Sequence, residues 1–70
     1  MSQLADYKVV LYRQPDGSWA AYVPAISGCH AIMPTREEVL TELENVFDMI
    51  REEFEAEEKE LPSDVELTHA

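Results

Sequence analysis

The chain has 70 residues, one cysteine and a net charge of −10, from fifteen Asp and Glu against five Lys and Arg. A domain of this size buries only about 60% of the surface its unfolded chain exposes, so its core is small and self-association is an expected source of stability. The acidity repels phosphate backbones and argues against a general affinity for nucleic acid, while a lone Cys29 cannot form an internal disulfide and suits a reducing, cytoplasmic setting.

No apolar run reaches the length of a membrane span, and the opening residues lack the basic start of a secretory leader. One soluble domain over residues 1–70, without membrane association, is expected. "YKVVLYR" (7–13) reads as the first strand, with Tyr7, Val9 and Leu11 on one face and Lys8, Val10 and Tyr12 on the other. Both faces are partly apolar, which predicts a strand inside a sheet. "QPDG" is a hairpin turn, since Pro15 presets φ and Gly17 can take the positive φ of a closing bulge. "SWAAYV" (18–23) returns as the second strand, with Trp19, Ala21 and Val23 on one face and Ala20 and Tyr22 on the other. Pro24 ends it, Gly28 shapes the next turn, and "CHAIM" (29–33) makes a third strand.

Pro34 stops that strand, and Thr35 with Glu38 three residues later has the spacing of a helix-capping pair. Val39, Leu43, Val46, Phe47, Ile50 and Phe54 then recur every three or four residues, an apolar stripe on one helix face. "EAEEKE" (55–60) continues that helix as a fraying or solvated acidic extension, "LPSD" breaks it, and 64–68, around "VELT", reads as a short fourth strand.

Candidate chemistry is thin. Cys29 and His30 are neighbours on a strand and point to opposite faces, so they do not make a nucleophile and base; a buried structural cysteine fits better. One cysteine, two separated histidines and carboxylates without loop spacing give no metal site, and no cofactor is expected. The acids crowd the helix, where a solvated or partner-binding face explains them better than a magnesium nuclease does; Asp6 and Asp16 lie near strand ends, not in a cluster. Tyr7, Tyr12 and Trp19 read as cross-strand packing partners, because a base-stacking platform needs more cations than Lys8 and Arg13 supply.

Taken together, the opening tyrosine of the first strand, the turn ending at Gly17, "WAAYVPAISGCH" and "TREEVLTELENV" resemble the HicB-like antitoxin domain over residues 7 to about 54. The structural motif residues of the resemblance are Trp19, Pro24, Gly28, Cys29, Thr35 and Glu38. The resemblance implies an α+β, two-layer β-β-β-α-β domain, its antiparallel sheet crossed on one face by a long helix. It also implies a non-catalytic role: binding a small basic RNase toxin of the HicA type and covering its RNA-binding, catalytic surface. Two departures stand out. Met33 and Pro34 occupy positions where the family has Gly and an acid, and Val39 replaces an Ala in the helix start.

The family's C-terminal DNA-binding module has no counterpart before Ala70, so direct DNA binding is not expected. Glu42, Glu44 and Glu53 are the candidate partner-binding residues, with an exposed sheet edge as the alternative surface. A homodimer or tetramer is expected. A stand-alone homo-oligomer without a toxin is the second reading, and a metal-dependent, RNase-H-like nuclease the third.

Overall fold

The computed structural model describes residues 3–68, and the outermost ends of the domain read over 1–70 lie outside them. Pro15, Asp16 and Gly17 form a three-residue hairpin loop. Gln14 N–H donates to the Ser18 carbonyl at 2.8 Å, Gly17 N–H donates to the Gln14 carbonyl at 2.9 Å, and Gly17 holds a φ of 93°, where a Cβ is disfavoured. Asp16 secures the loop by accepting from the Ser18 hydroxyl at 2.6 Å and from Ser18 N–H at 2.9 Å, contacts that hold its carboxyl below the ordinary carboxylate value.

The flanking residues become β1 (Val10–Arg13) and β2 (Trp19–Tyr22), and the chain returns from the Pro24–Gly28 turn as β3 (His30–Met33). Among the described residues these strands form one antiparallel sheet in the order β1-β2-β3. Leu11, Ala21 and Ala31 lie abreast in one row, and Tyr12, Ala20 and Ile32 in the next. The first strand is therefore an edge strand, not the interior one its two apolar faces predicted. It is also shorter. Continuing the register sets Lys8 opposite Pro24, which has no N–H to give, so the ladder stops at Val10 and Tyr22.

Helix α1 (Arg36–Ala56) begins at Thr35, whose hydroxyl oxygen accepts from Glu38 N–H at 3.2 Å. The predicted cap pair meets there through its side chains as well, the Thr35 hydroxyl donating to the Glu38 carboxylate at 3.0 Å. Val39, Leu43 and Phe47 are buried along one stripe, with Leu40, Val46 and Ile50 packed beside them. The stripe crosses β2 and β3 and seats on Ala21, Val23, Ile26, Cys29 and Ala31. Two alanines side by side under the helix leave room for Leu43 and Phe47. Tyr7 packs against Phe47 with ring centroids 5.8 Å apart, and the Arg51 guanidinium lies 5.9 Å from the same ring, so Phe47 joins helix, N-terminal segment and sheet.

The acidic run extends the helix only through Glu55 and Ala56, and then turns the chain back. Glu58 takes a left-handed φ of 57°, Lys59 N–H donates to the Phe54 carbonyl at 2.8 Å, and Glu58 N–H donates to the Glu55 carbonyl at 3.0 Å. This is a Schellman C-cap with a glutamate where glycine is usual. Helix α1 thus ends before Leu61 and Pro62 come into play.

Residues 64–68, expected as a fourth strand, form no ladder. A side-chain clamp takes its place. The Tyr7 hydroxyl donates to the Pro62 carbonyl at 2.6 Å, and Lys8 N–H donates to both Asp64 carboxylate oxygens at 3.1 and 3.2 Å. The Lys8 ammonium donates to Asp64 Oδ2 at 3.0 Å and to the Val65 carbonyl at 2.6 Å. The backbone donor that a strand carbonyl would need is taken by a carboxylate, while Leu61 packs on the core.

Two outcomes follow from these ends. Glu58→Gly removes the left-handed strain and an acid from the negative end of the helix dipole, so it should stabilise the domain by about 1 kcal/mol and raise the thermal midpoint in circular dichroism. Asp64 has a carboxyl pKa lowered by its Lys8 contacts. The clamp is then fully present above the unfolded carboxylate value, about 3.9, and is lost as pH falls through the lower folded value. A pH titration of the Lys8 amide resonance should show that transition, and Asp64→Asn should abolish it.

Candidate functional site

The sheet's two faces have different surroundings. Side chains alternate along a strand, so Val10, Tyr12, Ala20, Tyr22, His30 and Ile32 point away from α1. Tyr12, Tyr22 and Ile32 are 46%, 39% and 56% exposed, an unusual state for large apolar side chains on adjacent strands. Ala20, in the centre, is buried between them. A shallow dent of about 380 Å³ runs from Tyr12, Ala20 and Ile32 past Tyr22 to Pro24 and Gly28. Between Tyr7 and Pro34 the only acid is Asp16, in the hairpin loop.

The carboxylates lie on the other layer. Eleven of the fifteen occur between Glu37 and Glu60. Glu37, Glu44, Asp48, Glu52 and Glu55 recur at helical spacing and are all exposed, which makes one outward ridge along α1. The last helical turn has no basic residue, so its acids face the negative end of the helix dipole.

The three acids singled out from the sequence do not form one patch. Glu42 and Glu44 are two residues apart, roughly 200° around the helix axis. Glu42 is half-buried beside Met33, Thr41 and Asn45, whose amide donates to it at 3.4 Å. Glu53 follows Glu42 after three turns on that flank, whereas Glu44 stands on the opposite flank near Leu4 and Arg51. Glu44 alone belongs to the outward ridge.

The residues that carried candidate chemistry are occupied by local structure. Asp6 closes a single 3-10 turn (Leu4–Asp6) by accepting from Gln3 N–H at 2.9 Å, and Asp16 is bound into the hairpin loop. Cys29 is buried in the core, and burial pushes its thiol pKa up, away from the thiolate a nucleophile needs. His30 is exposed beyond it. Among the described residues no three His, Cys, Asp or Glu side chains are grouped to hold a metal ion, and no helix is long and apolar enough to cross a membrane.

The aromatic residues do not pair with one another as the strand pattern suggested. Trp19 lies between Arg13 and Met33 on the helix side, Tyr12 is on the outer face, and Tyr7 joins Phe47. Sequence reading missed the outer face as a surface. The signal was present in Val10, Tyr12, Ala20 and Tyr22, apolar residues opposite a core-facing set in a chain with one helix to cover them.

The chain is similar to two proteins of Synechocystis. It is 38% identical to UPF0150 protein ssl0259 over 58 residues, covering 83% of this chain and 80% of that protein. It is 29% identical to UPF0150 protein ssr1765 over 62 residues, 89% of this chain and 78% of the other. No family model matches the chain, and no solved structure matches it.

The position of Cys29 generates a direct expectation. A thiol that is 1% exposed should react with an aromatic disulfide reagent at the rate of opening of the domain and not at the rate of a free thiol. Labelling in native buffer should be slowed at least about 100-fold relative to the same protein in denaturant. Rapid native labelling would mean that the β2–β3 turn does not bury it.

Proposed function

The chain belongs to the UPF0150 family, and from that premise we propose that it is a non-catalytic protein-binding domain, an antitoxin-type module that covers the RNA-binding surface of a small basic RNase of the HicA type. The observation that carries the reading is the exposed acidic ridge of Glu37, Glu44, Asp48, Glu52 and Glu55 on the outside of a rigid helix. The resemblance of "WAAYVPAISGCH" and "TREEVLTELENV" to the HicB-like domain supports it and supplies the class of partner.

The mechanism is competition between polyanions. An RNase that grips RNA through cationic side chains presents the same charges to a row of carboxylates spaced at one helical turn. Opposite potentials speed the encounter and select the partner, and a bound domain then excludes the phosphate backbone. Such inhibition needs no reactive group on this chain. The acids at the helix C-terminus, unfavourable beside the dipole in the free domain, gain most when a cation is brought to them. The reading sets both proteins in the cytoplasm.

The test is capture of partner proteins on the immobilised chain at low salt, followed by an RNA-cleavage assay before and after release. A small basic protein that is silent while bound and cleaves RNA once released supports the reading; retained proteins without RNase activity overturn it. Changing Glu44, Glu52 and Glu55 together to Lys should weaken that complex at least about tenfold at low salt and flatten its salt dependence. An unchanged affinity would remove the ridge as the contact surface.

A further inference from the structure

We propose that the outer face of the sheet is a self-association surface, on which a second copy of this chain packs face to face about a two-fold axis. This inference goes beyond the antitoxin reading and does not depend on it. The argument begins with charge. A chain carrying −10 repels its own copies wherever carboxylates meet, and the helix, its C-terminal turn and the tail all carry them. The two rows of the outer sheet face, Val10, Tyr22, His30 and Tyr12, Ala20, Ile32, carry none, and Asp64, which reaches the same face at Lys8, is paired with the Lys8 ammonium. It is the broad surface on which two copies can approach without placing rows of unpaired acids against each other.

Shape points the same way. A two-fold interface requires a patch that complements itself. Here a projecting Ile32, 56% exposed, stands at one end of the dent that runs past Tyr22 to Pro24 and Gly28. When two such faces are opposed with their strands roughly aligned, the Ile32 of each copy can enter the dent of the other, and Tyr12 and Tyr22 close around it, as side chains interdigitate between packed sheets. Each chain then becomes the second cover that its own single helix cannot provide.

Other occupants fit less well. A basic protein gains no charge attraction on this face. Nucleic acid could stack on Tyr12 and Tyr22, but the outer-face cation Lys8 is engaged by Asp64 and Val65. A small ligand would find an open, shallow dent that leaves one side of it in water, unlike the usual enclosing pocket.

The face is only three strands by four residues, so the dimer should lie near the lower limit of specific interfaces, about 1,000 Å² in total, and dissociate on dilution.

Sedimentation equilibrium from low-micromolar to millimolar protein tests the proposal. The mass should rise from 8.0 kDa toward twice that value with concentration, and the thermal midpoint should rise with it. Ile32→Glu and, separately, Tyr22→Glu replace side chains exposed in the single chain, so each should keep the wild-type circular dichroism while holding the mass at one chain throughout. Glu44, Glu52 and Glu55 changed to Lys should leave association intact. A wild-type mass that stays at one chain, or association that persists in both outer-face variants, overturns the proposal. So does loss of association in the helix variant with both outer-face variants unaffected.

Discussion

A sheet has two faces, and among the described residues one α-helix, α1, covers one of them. The remaining features of the fold follow from how that helix is seated. Ala21 and Ala31 stand side by side on the covered face, which lets Val39, Leu43 and Phe47 come close enough to be fully buried. Phe47 is the hub, since Tyr7 from the N-terminal segment and Arg51 from the next helical turn both lie against its ring. In a domain whose net stability is the usual few kcal/mol, truncation of one such side chain, about 3–5 kcal/mol, is comparable with the whole.

The same constraint divides the surface. A helix that buries one stripe exposes the rest, and here the rest is acidic along its length. The sheet, covered on one side, leaves open a largely apolar side whose strand rows carry no acid. Two surfaces of opposite character therefore lie on opposite layers, one acidic and the other largely apolar.

The tail shows how a short chain blunts an edge without adding a strand. Lys8 N–H is met by Asp64, and the adjacent ammonium is held by the same carboxylate and the Val65 carbonyl. An exposed ion pair alone contributes little. Its value here is geometric, because it fixes the end of β1 and brings Leu61 onto the core. The left-handed glutamate at residue 58 is what turns the tail toward that contact.

What the sequence by itself determined was the set of features written in short stretches. The Pro15-Asp16-Gly17 hairpin, the Thr35 cap, the Val39-Leu43-Phe47 stripe and the opposite facing of Cys29 and His30 depend on residues within a turn or two of each other, where period and propensity act directly. Tertiary structure alone decided what covers what. Among the described residues it made β1 an edge strand, because β2 pairs with β1 on one side and β3 on the other and no strand joins β1 from outside; and it turned an expected fourth strand into a side-chain clamp. The apolar outer face was legible only as an alternation. Whether such a face is core or surface depends on a layer that must arrive from elsewhere, and this chain folds without one there.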